Sequence, residues 1–110
     1  MRLLLNECLP TELAGNLPGH TVSTARQMGW LGVKNGRLLK LIAESGQFDA
    51  FVTVDKNLPH QQNLSALPFA VVVLRVHSTR VKDVLAQAPA LLRRLSEAKP
   101  GQAVVVALPA

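Results

Sequence analysis

Hydrophobic positions along this chain fall into two patterns: short continuous runs, and longer stretches with apolar residues at helical spacing. Continuous apolar runs of about four to eight residues are typical of buried strands. They predict strands at residues 2–5, 50–54, 69–76 and 103–107, and the alternation of residues 20–24 predicts a further strand there. Parallel strands buried on both faces read as unbroken apolar runs, so the strand at 69–76 is predicted to be central or nearly so, and 103–107 to lie at an edge.

Helical spacing appears between these strands. The clearest case is a helix predicted at residues 36–45, with Asn35 as its N-cap and Gly46 just past its end. Its leucines and Ile42 share one side, which is predicted to face the core. Shorter helical segments are predicted at residues 11–17 and 59–63, another from about Arg80 with Ser78 or Thr79 as its cap, and a last one at 89–99.

Strands that alternate with helices predict an α/β fold, here a three-layer α/β/α sandwich around a mostly parallel central sheet. The chain has 110 residues, a length that predicts a single domain spanning residues 1–110. Hydrophobic residues make up 48% of the sequence and aromatic residues only 4%, so the predicted core is aliphatic.

The chain contains one cysteine, Cys8, and no apolar run that approaches the length of a membrane span. One cysteine excludes an internal disulfide and a cysteine-cluster metal site. The apolar run after Met1 is too short for a signal peptide and is interrupted at Asn6. These features predict a cytoplasmic protein that does not enter the membrane.

The formal net charge is +5 at pH 7, which favours a polyanionic partner, with nucleic acid as the first choice. The lysines and arginines are spread along the sequence and do not form a run. Many small domains are basic without binding nucleic acid, so the charge permits such a partner and does not require one.

Polar residues follow three of the predicted strands. Right-handed crossovers bring the carboxyl ends of parallel strands to one edge of the sheet, which is where open α/β sheets bind ligands. Two carboxylates with flanking amides there can hold Mg²⁺ or Mn²⁺ through oxygen ligands, and such a cation supports phosphodiester hydrolysis. The residues delivered to this edge are Asn6 and Glu7 after the first strand, Asp55 and Asn57 after the third, and Arg75, His77 and Ser78 after the fourth.

Other hydrolytic and phosphate-binding patterns are missing. The sequence has no serine in a nucleophile-elbow pattern and no glycine-rich phosphate loop. The predicted chemistry therefore centres on the two carboxylates, Glu7 and Asp55.

Two segments, LLLNECLP and GHTVSTARQMGWLGVKNGRLLKLIAESGQFDAFVTVDKNLPHQQNL, together resemble the PIN-like domain family of small bacterial proteins. The resemblance extends from Met1 to about Leu74. In the related pattern the first strand ends in Asp-Glu before a short apolar-Pro turn, and the third ends in Thr-x-Asp with an acid or amide two positions on. PIN-like domains are α/β/α sandwiches, and many are metal-dependent ribonucleases, often toxins of toxin–antitoxin pairs.

The resemblance implies a ribonuclease in which Asp55 and Glu7 are catalytic and ligate Mg²⁺ or Mn²⁺, with Asn6 and Asn57 as further ligands. RNA would be the substrate, and an antitoxin protein a possible partner. Phosphate contacts are predicted for Lys34, Asn35, Lys56 and Arg80, which lie near this edge in the predicted fold. A homodimer is a further expectation, because the apolar C-terminal strand and helix could extend a core across an interface.

Three amides lower the formal charge of the predicted metal site. Asn6 stands where the leading Asp is found, Asn35 where many relatives carry an acid, and Asn57 where an acid or amide follows the third strand. Amide oxygens still ligate hard cations, but affinity falls with formal charge. Two hypotheses remain: a weakened metal-dependent ribonuclease, or a catalytically degraded PIN-like domain that binds RNA or a protein.

Each candidate also has an explanation that needs no function. Asp55 fits a turn after a strand, Glu7 a solvated position, and Asn35 a helix cap. His60 lies in a polar cluster that either lines the cleft, with His60 as a proton shuttle, or forms a solvated loop. Cys8 is expected to be a buried small hydrophobe.

Overall fold

The computed structural model describes residues 1–107, in which five parallel strands form one sheet with helices on both faces. Across the sheet the order is β2-β1-β3-β4-β5, and every neighbouring pair is parallel. The predicted α/β fold around a parallel central sheet is therefore confirmed. The strands are β1 (Arg2–Leu5), β2 (Thr21–Thr24), β3 (Ala50–Thr53), β4 (Ala70–Leu74) and β5 (Ala103–Val106).

The strand predicted to be central, β4, is one place from the edge, and β3 takes the middle of the sheet. Both strands are buried along their whole length. An unbroken apolar run indicates that a strand is buried on both faces. Because β3 and β4 are both buried in this way, the apolar pattern could not show which of them is central. The prediction that the last strand lies at an edge is confirmed.

Helices of uneven length cover the two faces. Two segments that were predicted as ordinary helices contain 3₁₀ turns, at Thr11–Asn16 and at Leu95–Glu97. Pro10 precedes the first of these, whose six residues make about two tight turns and bury Leu13 against the sheet. The α-helices are α1 (Asn35–Ser45), α2 (Leu58–Gln61), α3 (Val81–Leu85) and α4 (Ala88–Arg94).

Side-chain alternation along the strands divides the core into two layers. Leu3 and Leu5 of β1 face one layer, together with Leu13, Val84 of α3 and Leu91 of α4. Leu4 and its neighbours on β3 and β4 face the other layer, which α1 and α2 cover. The sheet therefore has two distinct faces, called here the α1 face and the α4 face.

Helix α1 begins one residue earlier than predicted. Lys34 is its N-cap, without a side-chain capping bond, and Asn35 is the first helical residue. The cap predicted at Asn35 is wrong because the side-chain amide of Asn35 is hydrogen-bonded to Asp55 instead. The predicted end is confirmed, since Gly46 adopts a left-handed φ of 62° and donates its N–H to the carbonyl of Ala43.

Helix α3 also lacks the predicted cap. Arg80 occupies the N-cap position, and neither Ser78 nor Thr79 does. The hydroxyl of Ser78 is engaged elsewhere, because it donates to the carboxylate of Asp83 and accepts the N–H of Arg80 at 3.3 Å. These bonds fix the segment that enters α3 to Asp83 in the first turn of the helix.

The exposed edge strand β5 is tied to the last helix. Nη1 of Arg94 donates to the carbonyl of Val105 at 3.1 Å, and Nε of Arg94 lies 2.5 Å from a carboxylate oxygen of Glu97. The side chain of Arg94 therefore covers part of the unpaired backbone of the sheet edge. Among residues 1–107, no helix combines the length and the apolar character needed to cross a membrane.

An ion pair joins β1 to the start of β3 at the amino edge of the sheet. Asp49 accepts the backbone N–H of Arg2 at 2.7 Å and Nη2 of Arg2 at 3.3 Å. The backbone N–H first, and then the guanidinium, lower the pKa of the Asp49 carboxyl below its usual range. Asp49 thus has a structural role far from the carboxyl edge, as its place before the strand predicted.

Replacing Asp49 by Ala should lower the free energy of unfolding by about 1 kcal/mol at neutral pH. This is less than a buried hydrogen bond to a charged group contributes, because both side chains of the pair are about half exposed. A carboxylate with a lowered folded-state pKa stabilises above its unfolded pKa and loses that effect as pH falls through the folded value. The difference between wild type and Asp49→Ala should therefore be full at neutral pH and vanish in strong acid. Urea unfolding across this pH range measures it.

Removal of the exposed Glu44, which makes no ion pair within residues 1–107, is the control. Glu44→Ala should change stability by less than about 0.5 kcal/mol at every pH. A constant difference between wild type and Asp49→Ala down to strong acid would contradict the assigned role of the Arg2 contact.

Candidate functional site

The ends of β1 and β3 meet at the carboxyl edge of the sheet. Leu5 is paired with Val52, and the N–H of Asn6 donates to the carbonyl of Val52 at 2.9 Å. The ladder therefore continues one residue past β1. The segment containing Asn6 and Glu7 consequently lies beside the segment that follows β3, as the strand pattern predicted.

A buried hydroxyl joins these two strand ends. Thr53 has no exposed surface (0%), and its Oγ1 accepts Nδ2 of Asn6 at 2.8 Å and the N–H of Asp55 at 3.2 Å. One acceptor thus fixes the Asn6 side chain and the backbone that carries Asp55. Prediction from residue types missed Thr53, because a threonine within an apolar strand carries no chemical signal; its place two residues before Asp55 was the available clue.

Asp55 is held by two N–H donors. Nδ2 of Asn35 donates to one carboxylate oxygen at 2.9 Å, and the backbone N–H of Asn57 donates to the other at 3.0 Å. The first bond ties α1 to the end of the central strand, and the second closes a turn typical of aspartate. Asn57 acts here through its backbone, and its side chain is exposed.

Glu7 is bound to a different part of the chain. Its carboxylate oxygens lie 3.2 and 3.1 Å from the N–H of Gly32, and its own N–H donates to Oδ1 of Asn6 at 2.8 Å. Gly32 has a left-handed φ of 75°, which favours glycine. The loop that precedes α1 is therefore fastened across the first strand end by the second predicted acid, a contact that the sequence did not reveal.

Cys8 follows Glu7 at the same strand end and is influenced by both predicted acids. The residue is exposed, contrary to the expected burial, but its thiol is partly shielded. Burial is the largest cause that raises the pKa of the Cys8 thiol, and the charges of Glu7 and Asp55 raise it further against hydrogen bonds from the backbone. Both carboxylates thus lie on the same edge of the sheet as Cys8, each with its own hydrogen-bond partners.

The predicted phosphate contacts divide between two places. Lys34 and Asn35 begin α1 and Lys56 follows Asp55, so these three lie at the carboxyl edge on the α1 side. Arg80 caps α3, whose Val84 packs against the α4 face, and it makes no side-chain hydrogen bond or ion pair within residues 1–107. Its predicted role stays a prediction.

A cleft of about 260 Å³ is lined by Lys56 and Asn57, the two residues that follow Asp55 in the chain. Its lining includes two residues outside the predicted site, His60 on α2 and Arg75 after β4. Both had sequence signals: Arg75 follows a strand at the carboxyl edge, and His60 belongs to a polar cluster that lines a cleft in one of the two explanations above. The other lining residues are Lys56, Asn57, Val73 and Val105.

The oxygen atoms of the predicted ligands are of the type that a hard divalent cation prefers, but only two of these residues carry a negative charge. Carboxylate and amide oxygens are the ligands that Mg²⁺ and Mn²⁺ accept, and the predicted set offers Asp55 and Glu7 with three amides. Within residues 1–107, no three His, Cys, Asp or Glu side chains converge to hold a metal ion. The hydrogen bonds from Asn35, Asn57 and Gly32 would compete with it. A cation at this edge would have to displace these bonds, and it stays a prediction from the ligand types.

No family model, curated protein or solved structure matches this chain. The resemblance to PIN-like domains therefore stays a prediction based on the order and spacing of motifs. The same applies to the predicted metal, RNA substrate and protein partners.

The contact between Asn35 and Asp55 predicts a variant whose stability depends on a cation. Asn35→Asp replaces an N–H donor by a second carboxylate in contact with Asp55. The lost bond and the repulsion should lower the free energy of unfolding by about 1–3 kcal/mol in EDTA at neutral pH. Mn²⁺ should restore the loss, and urea unfolding with and without Mn²⁺ measures both effects.

Gln102→Glu is the matched control, because it adds the same charge in the exposed turn before β5, at the amino edge of the sheet. It should remain within about 0.5 kcal/mol of wild type and should not respond to Mn²⁺. An Asn35→Asp protein as stable as wild type in EDTA would show that the two side chains are not in contact.

Proposed function

We propose that this protein is a weak, metal-dependent ribonuclease of the PIN-like type, acting at the carboxyl edge of its sheet in the cytoplasm. The observation that supports this most is the position of Asp55, a carboxylate at the end of the central strand, fixed by Asn35 and adjacent in the chain to a cationic cleft. That arrangement puts an acidic group and phosphate-binding groups side by side. Open α/β sheets bind their ligands at this edge.

The chain's own residues have distinct tasks in this proposal. Asp55 and Glu7 supply the two negative charges, and amide oxygens of Asn6, Asn35 and Asn57 are the additional candidate ligands. When bound, Mg²⁺ or Mn²⁺ lowers the pKa of water and offsets the charge of the phosphate. Thr53 keeps the two strand ends in register through its bonds to Asn6 and to the N–H of Asp55.

Phosphate binding falls to the cationic side chains on the α1 side. Lys34 and Lys56 flank Asp55 and its partner Asn35, and both are exposed. Lysine binds phosphate as a compact point charge and keeps its flexibility, which suits an RNA backbone of variable conformation. An RNA strand along this edge would pass Asp55 between the positively charged side chains of Lys34 and Lys56.

A second candidate function is binding without hydrolysis, with RNA or a protein as the partner. The observation that favours it is that the oxygens of both acids already accept N–H groups from the protein. The site is therefore satisfied without a cation, as a degraded nuclease site would be. An antitoxin-like protein or a second copy of the chain would be an additional partner in either case.

Asp55→Asn should abolish metal-dependent RNA cleavage while the fold survives. The expected loss is at least about 100-fold, because even groups that only support metal ligands change activity by about 10- to 100-fold. The measurement is cleavage of single-stranded RNA by purified protein in Mn²⁺ and in EDTA, with urea unfolding as the check on folding.

Glu44→Gln is the control, since it removes one exposed acid near the far end of α1. It should cleave as wild type does. Metal-dependent cleavage that survives in Asp55→Asn would show that the assignment of Asp55 as the catalytic acid is wrong.

Restoring acids separates the two candidates. In a weak nuclease, Asn6→Asp and Asn35→Asp should raise Mn²⁺ affinity and cleavage together, because formal charge increases cation affinity. If wild type does not cleave, binds RNA equally well in EDTA, and gains cleavage only in the Asn6→Asp/Asn35→Asp double variant, then the binding function holds for the natural sequence.

A further inference from the structure

The cleft lined by Lys56 and Asn57 exists because one strand is left uncovered on the α1 face. Val105 of β5 is paired in register with Val73 of β4, so both point to this face. Val73 is 1% exposed and Val105 is 45% exposed. Leu58 of α2 packs in the same core layer as Val73 of β4, whereas Val105 of β5 is left partly uncovered. Val73 and Val105 therefore form the apolar floor of the cleft.

Two of the residues that line this cleft, Lys56 and Arg75, carry a positive charge, and a third, His60, is a weaker base. Lys56 follows β3, His60 lies on α2, and Arg75 follows β4, so three separate elements bring these side chains to one concavity. Neither aspartate nor glutamate lines it. Across residues 1–107 the ion pairs are Arg2–Asp49 and Arg94–Glu97, so none of the three has a carboxylate partner there.

A cleft with cationic walls and an apolar floor favours a ligand with an anionic part and an uncharged, flat part. Arginine and lysine are the usual protein ligands of phosphate, the first as a bidentate donor and the second as a point charge. The valine floor would take the ribose or base, and the amide of Asn57 offers both a donor and an acceptor. A nucleotide combines these properties.

The size of the cleft limits the ligand to one nucleotide. At about 260 Å³ it is smaller than typical sites for drug-sized ligands. No Phe, Tyr or Trp lines it, so a base has only the His60 ring and the Arg75 guanidinium to stack on. Recognition should therefore depend on phosphate and show little preference among bases.

We propose that the cleft lined by Lys56, His60, Arg75, Val73 and Val105 is a nucleotide subsite that holds one phosphate and its nucleoside in a single-stranded RNA. The choice of RNA rests on the proposed function, and the binding itself needs neither a cation nor cleavage. The N–H of Asn57, a lining residue, donates to Asp55. A strand anchored in the cleft would therefore present a neighbouring phosphodiester to the acidic site.

The test is binding of a short fluorescein-labelled oligouridylate in EDTA, followed by fluorescence anisotropy. Arg75→Ala should weaken binding by at least about tenfold, since a charge-assisted bond to phosphate is lost. The slope of log affinity against log salt should also fall by about one. The exposed Arg93, at the end of α4 on the other face, gives the matched control Arg93→Ala, which should leave affinity within about twofold.

Val105 allows a test by charge sign at a position that tolerates change, because its side chain is already half exposed. Val105→Lys should tighten binding by about fivefold and Val105→Glu should weaken it by about as much, in line with surface charge pairs. Equal affinities for Arg75→Ala and Arg93→Ala, or no response to the sign at Val105, would overturn the subsite.

Competition by small ligands tests the nucleotide part. Uridine monophosphate should displace the labelled strand at lower concentration than inorganic phosphate, while uridine alone should be weak. Equal displacement by uridine monophosphate and inorganic phosphate would reduce the cleft to an anion site and overturn the nucleotide assignment.

These outcomes are separable from the proposed ribonuclease activity. If cleavage resists Asp55→Asn while Arg75→Ala weakens binding in EDTA, the activity assignment fails and the subsite stands. If Asp55→Asn abolishes cleavage while Arg75→Ala and Val105→Glu leave binding unchanged, the subsite fails alone.

Discussion

The parallel pairing of β1 with β3 is the constraint on which the site depends. Both strands end at the same edge, and the Thr53 hydroxyl joins the two ends by accepting from Asn6 and from the N–H of Asp55. Thr53 is not exposed to water, so water could not take the place of these two bonds. A buried polar group left without a partner costs about 1–3 kcal/mol.

The amides at the carboxyl edge have a structural consequence besides the loss of charge. A carboxylate cannot donate a hydrogen bond, whereas the amide of Asn35 donates to Asp55 and that of Asn6 donates to Thr53. These two positions therefore stabilise the edge without a cation, at the expense of the charge that would attract one. Stability without metal and affinity for metal act against each other at the same side chains.

The sequence predicted the fold well and the site in part. Apolar runs and one alternating segment located all five strands, and their alternation with helices predicted a parallel sheet but not the order of its strands. Neighbouring strand ends placed Asn6, Glu7 and Asp55 at one edge. The capping role of Asn35 could not be judged locally, because its partner Asp55 is twenty residues away. The hydrogen bond from Gly32 to Glu7 and the cleft at Val105 likewise depend on tertiary packing. The spacing of apolar residues in the sequence does not reveal such contacts.

The bond from Arg94 to the carbonyl of Val105 affects how copies of this protein can associate. An edge strand with free backbone groups is a template for another strand, and a charged side chain laid across it opposes that pairing. A second chain could extend the sheet at β5 only after displacing a guanidinium that Glu97 also holds. Assembly through a continuous sheet is thus disfavoured on this side, so a dimer involving β5 would have to pack on its faces.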